Sequence, residues 1–463
     1  MNKVKGHIPA EESWRNVYFL GIGGIGMSAL ARMLKAQGVN VSGYDRTESK
    51  LTQELISQGI PVHYEENTGL IPSDLDLAVY TPAIPENNKE FVHLSASDIP
   101  LMKRAELLGF LTRDKRLIAV AGTHGKTSIS CWIAHILNQG SNKCNALLGG
   151  ISKNLGSNLV FEPETDLFVT EADEYDRSFL QLEPWIAVIT STDADHLDIY
   201  GDHQHLKNSF RSFTSKIKPN GKLLIKKGIE LFTEVNESVS VYSYSLSEKA
   251  DFHAININVK SGINKFDLVT PFREVKGLQS GIPGIINLEN AVAASAVAIL
   301  NNADEETVKS GLSSFKGVKR RFDIRIERDN FIYIDDYAHH PNEIKACIDS
   351  VRKLYPEKKI TGVFQPHLYT RTRDFASEFA QSLKALDIII LLDIYPAREL
   401  PIEGVSSENL LKMIDHQHKY LCAREDLISF LKVIKPEILL TLGAGDIDRL
   451  VEPIETTFKA IHS

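Results

Sequence analysis

The chain has 463 residues, 43% hydrophobic and 24% charged, the proportions of a globular protein long enough for two to four domains. Its formal net charge of −8 argues against general nucleic-acid binding, so anions would have to be met by local devices: helix N-termini, glycine-rich loops and a few placed Lys or Arg. The most apolar stretch, LDIIILLDIYP, is too short and too acidic for a membrane span, the leading MNKVKGHIPAEESW lacks a secretory core, and Cys131, Cys144, Cys347 and Cys422 lie too far apart for a zinc or disulfide framework, which suits a reducing cytoplasm.

The first element is a strand and turn, VYFLGIGG, followed by the helical run MSALARMLKAQG, which ends on Gly38. Gly21, Gly23 and Gly26 fit G-x-G-x-x-G, and Asp45 follows at about the distance of a ribose-binding acid. Read alone, that pattern is a dinucleotide fingerprint. Its physical content is narrower: a tight turn, close backbone approach, and a helix N-terminus facing a diphosphate. VNVSGYDR, KLTQELISQG and LDLAVYTPAIP continue a strand–helix–strand rhythm, so a parallel sheet with helices on its faces is expected. The polar LTRDKR sets a boundary near residue 113.

LIAVAGTHGKTS then opens a second α/β segment, with further strands at DLFVTEADE and WIAVITSTDADH. An irregular β-rich part follows around residues 220 to 275, then a helix rich in small residues, INLENAVAASAVAIL. The pattern changes again at SSFKGVKRRFD. Beyond it FIYIDDYAHHP, KITGVFQPHLYT, DIIILLDIYP and EILLTLGAGD read as four strands of a third α/β unit. The domains are expected at 1–113, 114–317 and 318–463.

In AVAGTHGKTSISCWIAHIL a buried strand runs into a glycine turn, then Lys-Thr, then a helix. Gly122, Thr123, Gly125, Lys126, Thr127 and Ser128 make a shortened P-loop, with Val120 where the longer pattern has glycine. Its backbone N–H groups would cradle phosphates, Lys126 would reach the β- and γ-phosphates, and the Thr127 hydroxyl would ligate Mg²⁺. Magnesium also wants carboxylate oxygen. Two strand ends offer it: Glu171, Asp173, Glu174 and Asp176 in the first, Asp193, Asp195, His196 and Asp198 in the second. By residue type alone, most of these acids read as a solvated loop, with one or two left to bind metal.

Here the chain resembles the Mur ligases, amide-forming enzymes of peptidoglycan precursor synthesis. The residues that carry the likeness are AGTHGKTS, EADEYDRSFL, DADHLDIYGD, VKRRFD, IDDYAHHPNEI, FQPHLYTRTRDF, LLDIYPARE and TLGAGDI, with GIGGIGMS and TPAIPENN before them. The resemblance implies three domains: a Rossmann-like UDP-substrate domain, a central P-loop ATPase-type domain and a C-terminal Rossmann-like domain. FQPHLYTRT and YPAREL favour the branch that joins L-alanine to the lactyl carboxylate of UDP-N-acetylmuramate. ATP would phosphorylate that carboxylate, and the amine of L-alanine would attack the acyl phosphate.

The resemblance also implies roles for residues. Thr127, Glu171 and His196 would hold magnesium, two ions in all. Asn287 and Asn290, Arg321 and Asp336 would meet the nucleotide; the asparagines also suit helix capping, and Arg321 would reach phosphate only on domain closure. Gly21, Gly23, Gly24, Ile25, Gly26, Asp45, Thr81, Ala83, Ile84, Asn87 and Arg104 would bind the UDP-substrate, whose diphosphate takes the place of a dinucleotide's. Tyr337, His339, His367 and Arg371 would bind the amino acid, with Arg371 on its carboxylate. Lys126, His196, His339 and Arg371 are the residues expected to act on the reacting groups. Two positions depart from the family pattern: Ile286 replaces a histidine and Leu368 an arginine. Rival readings are a ligase that recycles murein tripeptide, an NAD-dependent oxidoreductase and a non-catalytic UDP-sugar binder. A cytoplasmic monomer or homodimer is expected, with no nucleic-acid partner and no membrane insertion.

Overall fold

A computed structural model describes residues 13–195, 197–260, 263–397 and 399–461. The chain divides into two compact units. One runs to Asn256 and adds Phe266–Leu278 and Asn290–Phe315; the other comprises Ile257–Lys265, Gln279–Glu289 and Lys316–Ser463.

The first unit opens with β1 (Asn16–Leu20), α1 (Ile25–Ala36), β2 (Asn40–Tyr44), α2 (Lys50–Ser57), β3 (Val62–His63), β4 (Leu77–Tyr80), α3 (Lys89–Ala96), β5 (Leu101–Lys103) and α4 (Arg104–Thr112). The five strands are parallel, in the order β3-β2-β1-β4-β5. The winding direction reverses between β1 and β4. A ligand crevice therefore opens beyond the carboxyl ends of these two strands, where the first glycine loop lies.

The second sheet is built from β6 (Arg116–Ala121), α5 (Lys126–Gln139), β7 (Asn145–Ser152), β8 (Ser157–Val160), β9 (Leu167–Ala172), β10 (Ile186–Ile189), α6 (Leu197–Tyr200), α7 (His203–Thr214) and β11 (Lys222–Lys226). It continues through β12 (Ser240–Ser245), β13 (Phe252–Lys260), β14 (Ile263–Val269) and β15 (Glu274–Ser280), followed by α8 (Ile285–Leu300) and α9 (Glu305–Ser314). The stretch that reads as irregular in sequence is thus five strands extending one ten-stranded sheet, ordered β15-β14-β13-β12-β11-β10-β6-β9-β7-β8. At its centre β6 lies parallel between β10 and β9, with Val120 opposite both Val188 and Glu171. These strands are covered on both faces, which is why they read as unbroken apolar runs. One cluster of buried side chains continues from Phe19 in the first sheet to Phe168, Phe179 and Phe210 around the second.

The other unit carries β16 (Asp323–Arg328), β17 (Phe331–Asp336), α10 (Pro341–Leu354), β18 (Ile360–Phe364), α11 (Tyr369–Asp374), α12 (Ala376–Leu383), β19 (Ile388–Leu391), α13 (Ser407–Met413), β20 (Lys419–Leu421), α14 (Leu427–Ile434), β21 (Ile438–Leu442) and α15 (Asp448–Ile461). Its sheet runs β16-β17-β21-β18-β19-β20. Only β16 is antiparallel to its neighbour. Alternate residues go to opposite faces: Ile332 and Ile334 join one apolar cluster, Phe331 and Tyr333 the other.

Phe179 is fully buried, stacked on Phe213 at 5.0 Å and edge-on to Phe210 at 5.3 Å. Phe179→Ala is expected to cost about 3–5 kcal/mol by lost transfer energy and the cavity left behind, read as a lower denaturation midpoint at unchanged slope in urea.

Candidate active site

The first glycine loop is set by its own backbone. The N–H groups of Gly21 and Ile22 both donate to the Tyr44 carbonyl, at 2.8 and 3.0 Å. Asp45 binds the loop rather than standing free: one carboxylate oxygen accepts from Gly23 N at 2.8 Å, the other from Thr47 N at 3.1 Å. Gly24 is the N-cap of α1, whose first turn, beginning at Ile25, has no capping side chain and no acid. Side chains from three other segments close on these glycines. Thr81 and Ile84 stand against Gly21, and the Arg104 guanidinium lies where a side chain on Gly26 would begin. Ala83 and Asn87 are exposed on the loop after β4, while the neighbouring Asn88 caps α3. One positive side chain, open helix N–H groups and close-packed glycines make an anion cradle.

The P-loop follows β6. Gly122 has φ +132°, and a side chain there would collide with Thr190; Gly125 has φ +83° and is the N-cap of α5. Glycine is required at both positions. The loop after β10 supports this backbone. Ser191 Oγ accepts from His124 N at 2.9 Å and pairs with Thr123 Oγ1 at 2.8 Å. Thr190 donates to the His124 carbonyl, and His124 Nε2 meets Asp193 at 3.1 Å. Asn290 packs beside Gly125. Thr127 and Ser128 are buried in the first turn of α5.

Lys126 begins α5. Its ammonium donates to the Gly122 carbonyl at 2.8 Å and to both oxygens of Glu174, at 2.9 and 2.8 Å. Burial is the largest single influence and pulls its pKa down, but Glu174, Asp173 and Glu171 together outweigh it, and the net shift is upward. The acids of the EADEYD turn are therefore not a solvated set. Glu174 is buried against Lys126, Asp173 lies 3.8 Å from Arg104, and Asp176 takes Lys103 at 2.8 Å. Glu171 ends β9 beside the P-loop strand, where it accepts from Gly149 N at 2.9 Å.

The Thr127 hydroxyl and the Glu171 carboxylate are hard oxygen donors on one helix and an adjacent strand end, a set that fits Mg²⁺. Among the described residues no three His, Cys, Asp or Glu side chains form a metal cage. An ion completed by phosphate oxygens does not need one. His196 lies outside the described residues.

In the other unit the parallel β17, β21 and β18 bring a second cluster to their carboxyl ends. Asp336 accepts from Phe322 N at 2.6 Å and Ala338 N at 2.7 Å, which pins a turn with left-handed backbone at Arg320 and Phe322. Burial raises its pKa to about 6, against the opposing pull of Arg321 and these two N–H groups. Arg320 is taken up by Asp335 at 3.3 Å and the Gly443 carbonyl at 2.6 Å. The Arg321 guanidinium lies 4.7 Å from the centre of the Tyr337 ring. Asn287 donates to the Pro283 carbonyl at 2.6 Å.

His339 and His367 face each other at 6.1 Å, and His367 stacks on Tyr395 at 5.7 Å. Arg371 is 7% exposed and donates to His367 Nδ1 at 3.3 Å. Arginine cannot accept, so in this contact His367 Nδ1 is the acceptor. Leu368, between them, has φ +72°. IDDYAHHP and FQPHLYT thus meet at these strand ends, where the structure adds Tyr395, legible only as part of YPARE.

The doubly wound first sheet, the P-loop with its acidic strand ends, and the third α/β sheet define a nucleotide-dependent ligase fold, and family models match it in order. The Mur ligase family catalytic domain matches residues 16–116, the Mur ligase middle domain 120–298 and the Mur ligase glutamate ligase domain 320–445. The chain belongs to the Mur ligase family. Among curated relatives, the UDP-N-acetylmuramate–L-alanine ligase of Parabacteroides distasonis is 51% identical over 95% of this chain and 96% of its own. That of Phocaeicola vulgatus is 49% identical over 95% and 97%. The crystal structure of the Thermotoga maritima UDP-N-acetylmuramate–alanine ligase matches with a TM-score of 0.80 at 26% identity, covering 96% of this chain and 99% of that one. A murein peptide ligase from Psychrobacter arcticus shares the fold, with a TM-score of 0.70 at 20% identity.

The raised pKa of Asp336 has a signed consequence. Its folded value lies above the unfolded one, so folding is favoured most below the unfolded pKa, and that advantage is lost as pH rises through about 6. Urea unfolding followed between pH 4 and 7 should show stability falling through this window in the wild type, and a flatter profile in Asp336→Asn.

Proposed function

We propose that this protein joins L-alanine to the lactyl carboxylate of UDP-N-acetylmuramate at the expense of ATP, releasing ADP and phosphate. The observation that carries the reading is the 51% identity, over nearly the whole chain, to a protein bearing that activity in its name. The site geometry is what the chemistry needs.

The first glycine loop, with Thr81, Ile84 and Arg104, receives the diphosphate of the UDP-sugar, with Ala83 and Asn87 farther along its rim. Asp45 shapes that loop through Gly23. The P-loop backbone cradles the ATP phosphates and Lys126 neutralises the transferring phosphoryl group. Thr127 and Glu171 would hold Mg²⁺, which would supply charge neutralisation for the ATP phosphates. His196 serves a second ion by its match to the family motif. The carboxylate attacks the γ-phosphorus and ADP leaves. The amine of alanine then attacks the acyl phosphate, and phosphate departs from the tetrahedral intermediate.

Arg371 binds the carboxylate of alanine, with His367 beside it. His339 and Tyr337 line the same pocket. Arg321, Asp336 and the asparagines Asn287 and Asn290 serve the nucleotide. Such a reaction places the protein in the cytoplasm, where its nucleotide substrates are found; no helix among the described residues is long and apolar enough to cross a membrane.

ADP release should require UDP-N-acetylmuramate, L-alanine and Mg-ATP together. Turnover with the murein tripeptide and none with L-alanine would reassign the substrate. Lys126→Ala is expected to lower kcat by about 10²–10³-fold or more, the scale for loss of one electrostatic donor, while UDP-substrate binding, measured by calorimetry, survives. Loss of both would contradict separate sites for the two substrates. A melting curve belongs beside this assay, because the substitution leaves Glu174 buried without its lysine.

A further inference from the structure

Lys126 has three N–H donors, and all three are in use without nucleotide: one on Gly122 O and two on the Glu174 carboxylate. A phosphate oxygen can gain a hydrogen bond from this ammonium only by displacing one of them. The two ends of the pair are mounted differently. The Glu174 carbonyl accepts both Tyr200 OH at 2.6 Å and Arg177 N at 2.9 Å. The turn beyond it holds left-handed backbone at Asp176 and Arg177, is tied to Lys103 through Asp176, and ends on the fully buried Phe179. The Glu174 side chain is 1% exposed and that of Lys126 is 15% exposed. Lys126 is a flexible four-carbon stem at the first residue of its helix.

We propose that Glu174 is a positioning residue for the P-loop. Its carboxylate holds the Lys126 ammonium in the phosphate cradle until nucleotide arrives, and the lysine, not the glutamate, moves when phosphate displaces that contact. This rests on the reading of the P-loop as the ATP site. The pair keeps a buried cation compensated, and its rupture is part of what nucleotide binding must overcome. Glu174 is thus distinct in role from Glu171, three residues earlier, which faces Gly149 rather than the lysine.

The test compares wild type with Glu174→Gln, which keeps the shape and one acceptor oxygen but removes the charge. Calorimetric titration with Mg-ADP and with a non-hydrolysable Mg-ATP analogue is expected to show about tenfold tighter binding, the fold-change for one charge-assisted hydrogen bond. KM for ATP should fall in parallel, with KM for L-alanine unchanged. Unchanged or weaker nucleotide binding overturns the proposal, as does a rise in the Mg²⁺ concentration required, which would make Glu174 a metal ligand. If the glutamine variant melts well below wild type, Glu174→Asp serves instead; it keeps the charge but withdraws it from the lysine, and should tighten binding by a smaller factor. Wild-type affinity in a folded Glu174→Asp would count against the contact. A crystal structure with the analogue should show Lys126 Nζ on a phosphate oxygen and no longer on both oxygens of Glu174; retention of both bonds overturns the proposal. Failure of wild type to bind Mg-ADP at all would instead sink the ATP reading.

Discussion

The left-handed backbone at Gly122, pressed against Thr190, is the constraint on which the catalytic half of this structure depends. It lets β6 turn sharply into a loop whose next two N–H groups, of Thr123 and His124, donate to Ser191 and from which α5 begins at Lys126. Because a side chain there would meet Thr190, the P-loop and the loop after β10 form one object. Ser191 and Thr123 then bind that object together through short polar contacts. The central sheet contributes by register: with Val120 opposite Glu171 and Val188, three strand ends deliver their loops to the same edge.

The same principle operates in the first sheet with different residues. There the strand order reverses at β1, and the tight turn is held by the Tyr44 carbonyl and by Asp45 rather than by a neighbouring hydroxyl. Each Asp45 oxygen accepts one backbone N–H, so the acid shapes the turn itself. The glycine pattern alone did not separate a dinucleotide from another diphosphate. The remaining three-quarters of the chain made that separation.

Much of the fold was legible because its signals are local. Strand, glycine, lysine and helix occur in order at residues 116–139, and the apolar runs ending in IDDYAHHP and FQPHLYT are single strands buried on both faces. What stayed hidden depends on partners far away in sequence. Nothing near EADEYD says that Glu174 is buried against Lys126 while Asp173 and Asp176 turn to Arg104 and Lys103, because those partners come from other strands and helices. The residues from 222 to 280 look irregular since their strands are broken up by polar turns; only pairing shows that they prolong the central sheet. β16 and β20 were missed for a related reason: one sits on an antiparallel edge rich in charge, the other has three residues. Tyr395 was visible as a motif letter, but its stacking on His367 was not.

In the C-terminal sheet the histidine motifs leave from β17 and β18, and the strand inserted between them, β21, is the last in the chain. Ile438 pairs with both Ile332 and Ile360. β21 must thus be synthesised, some eighty residues after β18, before these two motifs can be held at their working separation. A chain ending before β21 would carry every residue of the histidine cluster and still lack the cluster.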